Sequence, residues 1–140
     1  MAGMITLEAL DAQERIFAEA YAAGEIERAR DLYHSEVCYL SPTVRLFEWP
    51  RRIEGRERTL EFIAVTITTC TEIRYAVVDR AITPAGDAAF VRIHFDWTTG
   101  WHRLRSSYVV IYRYQNGLIA QQELYYDPDG HLETLGQAPG

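Results

Sequence analysis

The run Phe90-Val91-Arg92-Ile93-His94-Phe95-Asp96-Trp97 alternates strictly, with Arg92, His94 and Asp96 on one face and Val91, Ile93, Phe95 and Trp97 on the other. Turned toward a pocket, the polar face makes His94 and Asp96 an acid–base pair, the carboxylate orienting the imidazole and raising its basicity. Turned outward, the same three residues are an exposed charge row or a dimer contact. Apolar area favours burying the opposite face, although a one-residue bulge inverts the result. A second group is aromatic. Tyr108, Tyr112 and Tyr126 share a strand face with Gln122 and Leu124, and tyrosines so placed can hold an aromatic or polycyclic ligand while their hydroxyls orient it. The alternative is a set of core tyrosines bonded to backbone. His34, His102 and His131 show no metal-ligand spacing, nor do Cys38 and Cys70. No metal or other cofactor is expected, and the cysteines read as free, buried thiols of a reducing cytoplasm.

These residues sit in a chain of 140 residues, the size of one domain with its own core. Its hydrophobic fraction of 48% and charged fraction of 24% are ordinary for a globular protein. Nine tyrosines and three tryptophans are more than ordinary and favour a lined pocket or an interface. A formal net charge of −6 argues against sequence-independent nucleic-acid binding. No apolar run approaches the ~20 residues of a membrane span, and no signal peptide is recognisable at the N-terminus.

The elements that must position these side chains follow from local patterns. Asp11 with Glu14 three residues on resembles a capping box. The helix it opens carries Ile16, Phe17, Ala20 and Tyr21 on its apolar stripe and stops at Gly24. A second short helix covers Glu25–Tyr33, followed by a strand Val37–Ser41 with Val37, Tyr39 and Ser41 on one face. Pro42–Glu54 is irregular and carries Phe47, Trp49 and Pro50, as a lid or dimer contact does; a loop tucked on the core reads the same way. Gly55–Thr69 is a third helix with Leu60, Ile63 and Ile67 inward. Period two then sets in, with strands at Glu72–Ile82, Ala88–Trp97, Leu104–Tyr114 and Leu118–Tyr126. The last two flank Gln115-Asn116-Gly117, a strong hairpin signal. A final helical turn is expected around His131–Leu135. Helices first and a strand meander after them predict an α+β fold, three N-terminal helices packed on a curved antiparallel sheet.

This layout resembles the nuclear-transport-factor-2-like (NTF2-like), or cystatin-like, cone family, over nearly the whole chain. The stretch from Gly24 through Tyr33 and Tyr39 to Ser41-Pro42 is similar to ketosteroid isomerases, and Gly55-Arg-Glu to the start of the family's third helix. Asn116-Gly117-Leu-Ile with Tyr125-Tyr126-Asp127 resembles the family's ending, and Leu135-Gly136 the close of the SnoaL-type polyketide cyclases. The resemblance implies a pocket at the open end of the cone, but not a reaction. At the isomerase positions of the general base, the tyrosine and the protonated acid stand Ser41, Phe17 and Val110, so that chemistry is absent. Limonene-epoxide-hydrolase relatives hold water with a Tyr-x-Asn pair and activate it with an Asp-Arg-Asp set. Tyr39-x-Ser41 resembles the pair, but His94 and Leu124 stand where the two carboxylates belong. In SnoaL-type cyclases the acid–base residue of an aldol closure matches Asp127, although Asp127-Pro-Asp-Gly is also a good turn and helix cap.

The expected catalytic participants are thus Tyr39, His94, Asp96 and Asp127. Phe17, Tyr21, Ser41, Trp49, Phe62, Tyr108, Tyr112, Gln122, Leu124 and Tyr126 are expected to bind the substrate. Two functions remain open: a cofactor-free isomerase, cyclase or dehydratase working by proton transfer on an apolar ring-containing substrate, or a non-catalytic ligand-binding or dimerisation domain. A homodimer through the convex sheet face is expected, with no nucleic-acid or membrane partner.

Overall fold

The computed structural model describes residues 4–41, 44, 48–99, 102–126 and 131–134. Helix α1 spans Leu7–Ala23. It starts one turn before Asp11 because Thr6 is extended and its hydroxyl accepts the Ala9 N–H at 3.1 Å. Asp11 instead accepts from Arg80 at 2.8 Å, tying the helix to the sheet. Glu14 caps nothing and is buried. Gly24 ends the helix in the left-handed region, φ 70°, where a side chain is strained. A 3-10 helix follows over Ile26–Leu32, shorter than expected, because Tyr33 already opens β1 (Tyr33–Leu40). Helix α2 runs Arg56–Thr69 after Gly55.

The sheet takes β2 (Arg52–Glu54), β1, β6 (Leu118–Tyr126), β5 (His102–Gln115), β4 (Ala88–Thr99) and β3 (Thr71–Ile82) in that order. β7 (His131–Thr134) continues beside β5. The expected helical turn there is therefore a strand, its four residues paired with His102–Arg105 of β5. Arg52–Glu54, read as loop, pairs with Cys38–Leu40. The fold is α+β as expected, but β1 runs parallel to β6, so the sheet is mixed. The hairpin turns at Asn116 and Gly117, both at positive φ, 54° and 79°.

α1 and α2 cover one face of this sheet. Leu10, Phe17 and Ala20 meet Val91, Ile93, Val110 and Tyr112 in a common core. Each large apolar side chain so buried contributes about 1.5–3 kcal/mol. One bulge changes a face. Tyr112 pairs with Gln122 but Tyr114 with Ile119, so β6 carries one extra residue there. Ile119 is consequently buried, while its neighbours Leu118 and Ala120 are only half-buried. Cys38 and Cys70 are free and buried. Burial raises both thiols, that of Cys70 to about 11.

Candidate functional site

The strand β4 has no bulge in its pairing with β5, and its alternation decides the first question. Val91, Ile93, Phe95 and Trp97 are buried beneath the helices, while Arg92 and His94 are exposed on the outer face and Asp96 is half-buried there. His94 contacts the Ser107 hydroxyl through Nδ1 at 3.0 Å, across the neighbouring strand. His94 and Asp96 therefore take no part in the interior site, the larger apolar face having gone inward.

The cavity lies between α1, α2 and the concave sheet. Of the expected residues, Phe17, Tyr21, Tyr39, Tyr108, Gln122 and Leu124 line it. Ser41, Trp49, Phe62 and Tyr112 do not. Ser41 is hydrogen-bonded to Tyr39, and Phe62 packs between Tyr39 and Trp49, its ring centroids 5.8 and 5.3 Å from theirs. Arg58 covers Trp49 at 4.8 Å. Tyr112 stacks beneath Phe17 at 6.2 Å. Asp127 and the Tyr126 side chain lie outside the described residues, as do Pro42 and Phe47 of the expected lid.

Seven further residues complete the wall: the aromatic Tyr75, Phe95 and Trp97, with Ile63, Thr66, Ile93 and Val110. Tyr21 stacks on Tyr75 at 5.4 Å, and Phe95 meets Tyr21 edge-on at 5.3 Å and Tyr108 at 5.9 Å. The Trp97 indole N–H is buried without a hydrogen-bond partner among the described residues, a costly state that an acceptor on a ligand would relieve. The enclosed volume is about 30 Å³, measured as space open to the centre of a water-sized sphere. That holds about two waters, against the roughly 150 Å³ that encloses a benzene ring. A ring enters only as the aromatic walls move apart, and a polycycle needs far more.

Beside the cavity lies a polar cluster. Glu14 of α1, 4% exposed, accepts from the Tyr75 phenol of β3, from the Tyr112 phenol of β5 at 3.0 Å, and from Gln13 at 3.2 Å. Gln13 in turn accepts from Tyr114 at 2.9 Å. Burial pushes the Glu14 carboxyl above the usual range, the three hydrogen bonds oppose that, and Asp11 adds to it. Burial likewise raises the Tyr21, Tyr33, Tyr39 and Tyr75 phenols, so at neutral pH all are uncharged donors. Tyr33 donates to Gln122 at 2.6 Å, fixing that amide at the cavity wall. The buried Glu14 escaped the sequence reading because it was spent on a capping box. Its spacing with Leu10, Phe17 and Tyr21, at i+4, i+7 and i+11, carried the signal.

The sequence of residues 14–122 matches the model of the SnoaL-like domain. The chain belongs to the SnoaL-like domain family. Among solved structures, this SnoaL-like domain is similar to a nuclear-transport-factor-2-like protein from Anabaena variabilis, at TM-score 0.74 and 17% identity over 89% of this chain and 91% of that one. It is similar also to TsrD from Streptomyces laurentii, at TM-score 0.71 and 19% identity, covering 88% and 91%. An epoxide hydrolase of the limonene-epoxide-hydrolase-like type from M. tuberculosis superposes at TM-score 0.66 and 14% identity, covering 83% and 80%. At such identities the likeness is one of fold. No curated protein sequence matches the chain. Among the described residues no helix is long and apolar enough to cross a membrane, and no group of His, Cys, Asp and Glu is placed to hold a metal.

Proposed function

We propose that this SnoaL-like domain is a cofactor-free enzyme of isomerase, cyclase or dehydratase type, acting by proton transfer on a small, apolar, ring-containing molecule with an oxygen acceptor. The observation that carries this reading is an aromatic cavity lined by the Tyr21 and Tyr39 phenols, uncharged at neutral pH, and by Trp97, whose buried indole N–H has no hydrogen-bond partner among the described residues. Donors in a water-poor site are suited to a carbonyl oxygen and more so to the enolate that develops from it. Epoxide hydrolysis as in the structural neighbour has less support, since Leu124 stands in the wall where that chemistry needs a carboxylate and His94 is outside.

A second reading, a binding domain without turnover, draws on one observation: the described lining contains neither a carboxylate nor an imidazole. The experiment that separates them uses cyclohex-3-en-1-one, whose conversion to the conjugated enone is followed by ultraviolet absorbance, beside ligand-observed NMR of its binding. Conversion above the buffer rate, lost in the cavity-filling Val110→Phe variant, supports the enzyme. Binding without conversion supports the second reading. Neither binding nor conversion counts against both.

Two copies are proposed to join through the outer sheet face, where Phe90, Val109 and Tyr125 are 40%, 40% and 55% exposed. Free thiols at Cys38 and Cys70 fit a reducing compartment, and a cytoplasmic location is proposed on that basis.

A further inference from the structure

A carboxylate held in the interior by tyrosines, with no cation beside it, is expensive to keep. Among the described residues, Glu14 is such a group. The groups that face it are Tyr75 from β3, Tyr112 from β5, Tyr33 from β1, and Gln13, Tyr21 and Asp11 from its own helix, with Tyr114 reached through Gln13. None of these is basic. Tyr75 is common to both neighbourhoods: its ring is part of the cavity wall, and its hydroxyl donates to Glu14 Oε1. Tyr112, the other phenol on Glu14, is not part of that wall. The cavity thus touches a carboxylate through one phenol.

The geometry points to Tyr75 as the residue that exchanges a proton with the bound ligand and to Glu14 as the group that receives and returns that proton through it. This rests on the reading of the cavity as a binding site for a ring-containing carbonyl compound, and adds the class of substrate: a carbon acid, such as a cyclic ketone, with an acidic hydrogen next to the carbonyl. In the forward step the ligand C–H bond breaks, its proton bonds to the Tyr75 oxygen, and the Tyr75 proton bonds to a Glu14 oxygen. The electron pair stays on the ligand as an enolate. Tyr75 remains a neutral phenol throughout and Glu14 changes from carboxylate to acid. Return of the proton to the same carbon gives exchange, and to another atom gives isomerisation; neither consumes an oxidant or a co-reactant. The relay removes a difficulty in using the phenol alone. Burial holds Tyr75 far above neutrality, so it cannot ionise unaided, whereas burial makes Glu14 a stronger base than an exposed glutamate.

The test follows exchange of the α-hydrogens of cyclohexanone in deuterated water by NMR, with the whole chain, and reads cyclohexanone binding in the same samples by saturation transfer. The expected result is exchange above the buffer rate, with one ionisation in its pH profile. In Glu14→Gln and Tyr75→Phe it should fall by ~100-fold or more while binding persists. Tyr112→Phe, which leaves the cavity wall intact, should move the midpoint to higher pH, because it removes a donor that favours the carboxylate; a purely structural Glu14 would leave the midpoint where it is. Binding without exchange, or exchange undiminished in Glu14→Gln, overturns the relay and leaves the binding site standing. Absence of binding, or binding unaffected by Val110→Phe, overturns the site and the relay with it. Should Glu14→Gln fail to fold, Tyr75→Phe and the Tyr112→Phe midpoint decide.

Discussion

The Glu14 carboxylate of α1 accepts a hydrogen bond from the Tyr75 phenol of β3, 61 residues along the chain. With Tyr112 bound to its other oxygen, Glu14 couples the first helix to two strands that are not neighbours in the sheet. The consequences reach stability as well as chemistry.

Glu14→Ala removes the acceptor of two phenols and leaves both to seek other partners in the interior. A loss of about 2–4 kcal/mol in urea unfolding is expected, since each buried unsatisfied donor costs ~1–3 kcal/mol. Glu14→Ala combined with Tyr112→Phe should cost less than the sum of the two single changes. Strict additivity would show that the Tyr112–Glu14 bond contributes nothing.

The pH dependence has a defined sign. Burial raises the Glu14 carboxyl above its ordinary 4.5, so the folded state binds this proton more tightly than the unfolded chain. Its contribution is therefore fully present below about 4.5 and is lost as pH rises through the folded value. The surface carboxylates Asp11, Glu27, Glu57 and Asp87, lowered mainly by Arg80, Arg30, Arg30 and Thr83 respectively, act oppositely and lose their contribution as pH falls. Subtracting the Glu14→Gln stability curve from that of the wild type isolates the first effect. The difference should decline between pH 4.5 and neutrality. A flat difference would refute the assignment.

His94→Ala should leave both stability and cyclohexanone binding unchanged, within the ~0.5 kcal/mol usual for surface substitutions. The side chain is exposed, and among the described residues its one hydrogen-bond contact is the Ser107 hydroxyl. A marked loss of ligand affinity would return the imidazole to the site.

Trp97→Phe keeps an aromatic wall and removes the unpartnered N–H. Affinity for cyclohexanone should fall about 3–10-fold, the worth of one neutral hydrogen bond, while affinity for cyclohexane stays level. Equal losses for both would mean that the indole acts by shape alone.

On the outer face, Val109→Asp places a charge in the proposed dimer contact, beside Arg92 and Tyr125 in register. Sedimentation should show a dimer in the wild type and a monomer in the variant. A wild-type monomer at micromolar concentration would remove the dimer.

The local grammar of this chain was legible from residues alone. Gly24 stops α1 because the left-handed backbone there excludes side chains readily, Asn116-Gly117 turns the hairpin, and period two marks β3 to β6. These are short-range preferences, settled within a few residues. The two shortest strands escaped for the same reason: Arg52–Glu54 and His131–Thr134 are too short to show a period and are strands only because β1 and the first residues of β5 offer them partners. Site composition was half legible. Phe17, Tyr21, Tyr39, Tyr108, Gln122 and Leu124 reach the cavity as their faces implied. Tertiary structure alone decided the rest. Whether His94 or Phe95 faces inward depends on which side of the sheet the helices cover, and apolar area settled it by burying Phe95. Whether Glu14 caps a helix or sits in the interior depends on where the helix begins and on phenols supplied by β3 and β5. A carboxylate takes its chemistry from its surroundings, and for Glu14 those surroundings come from strands far along the chain.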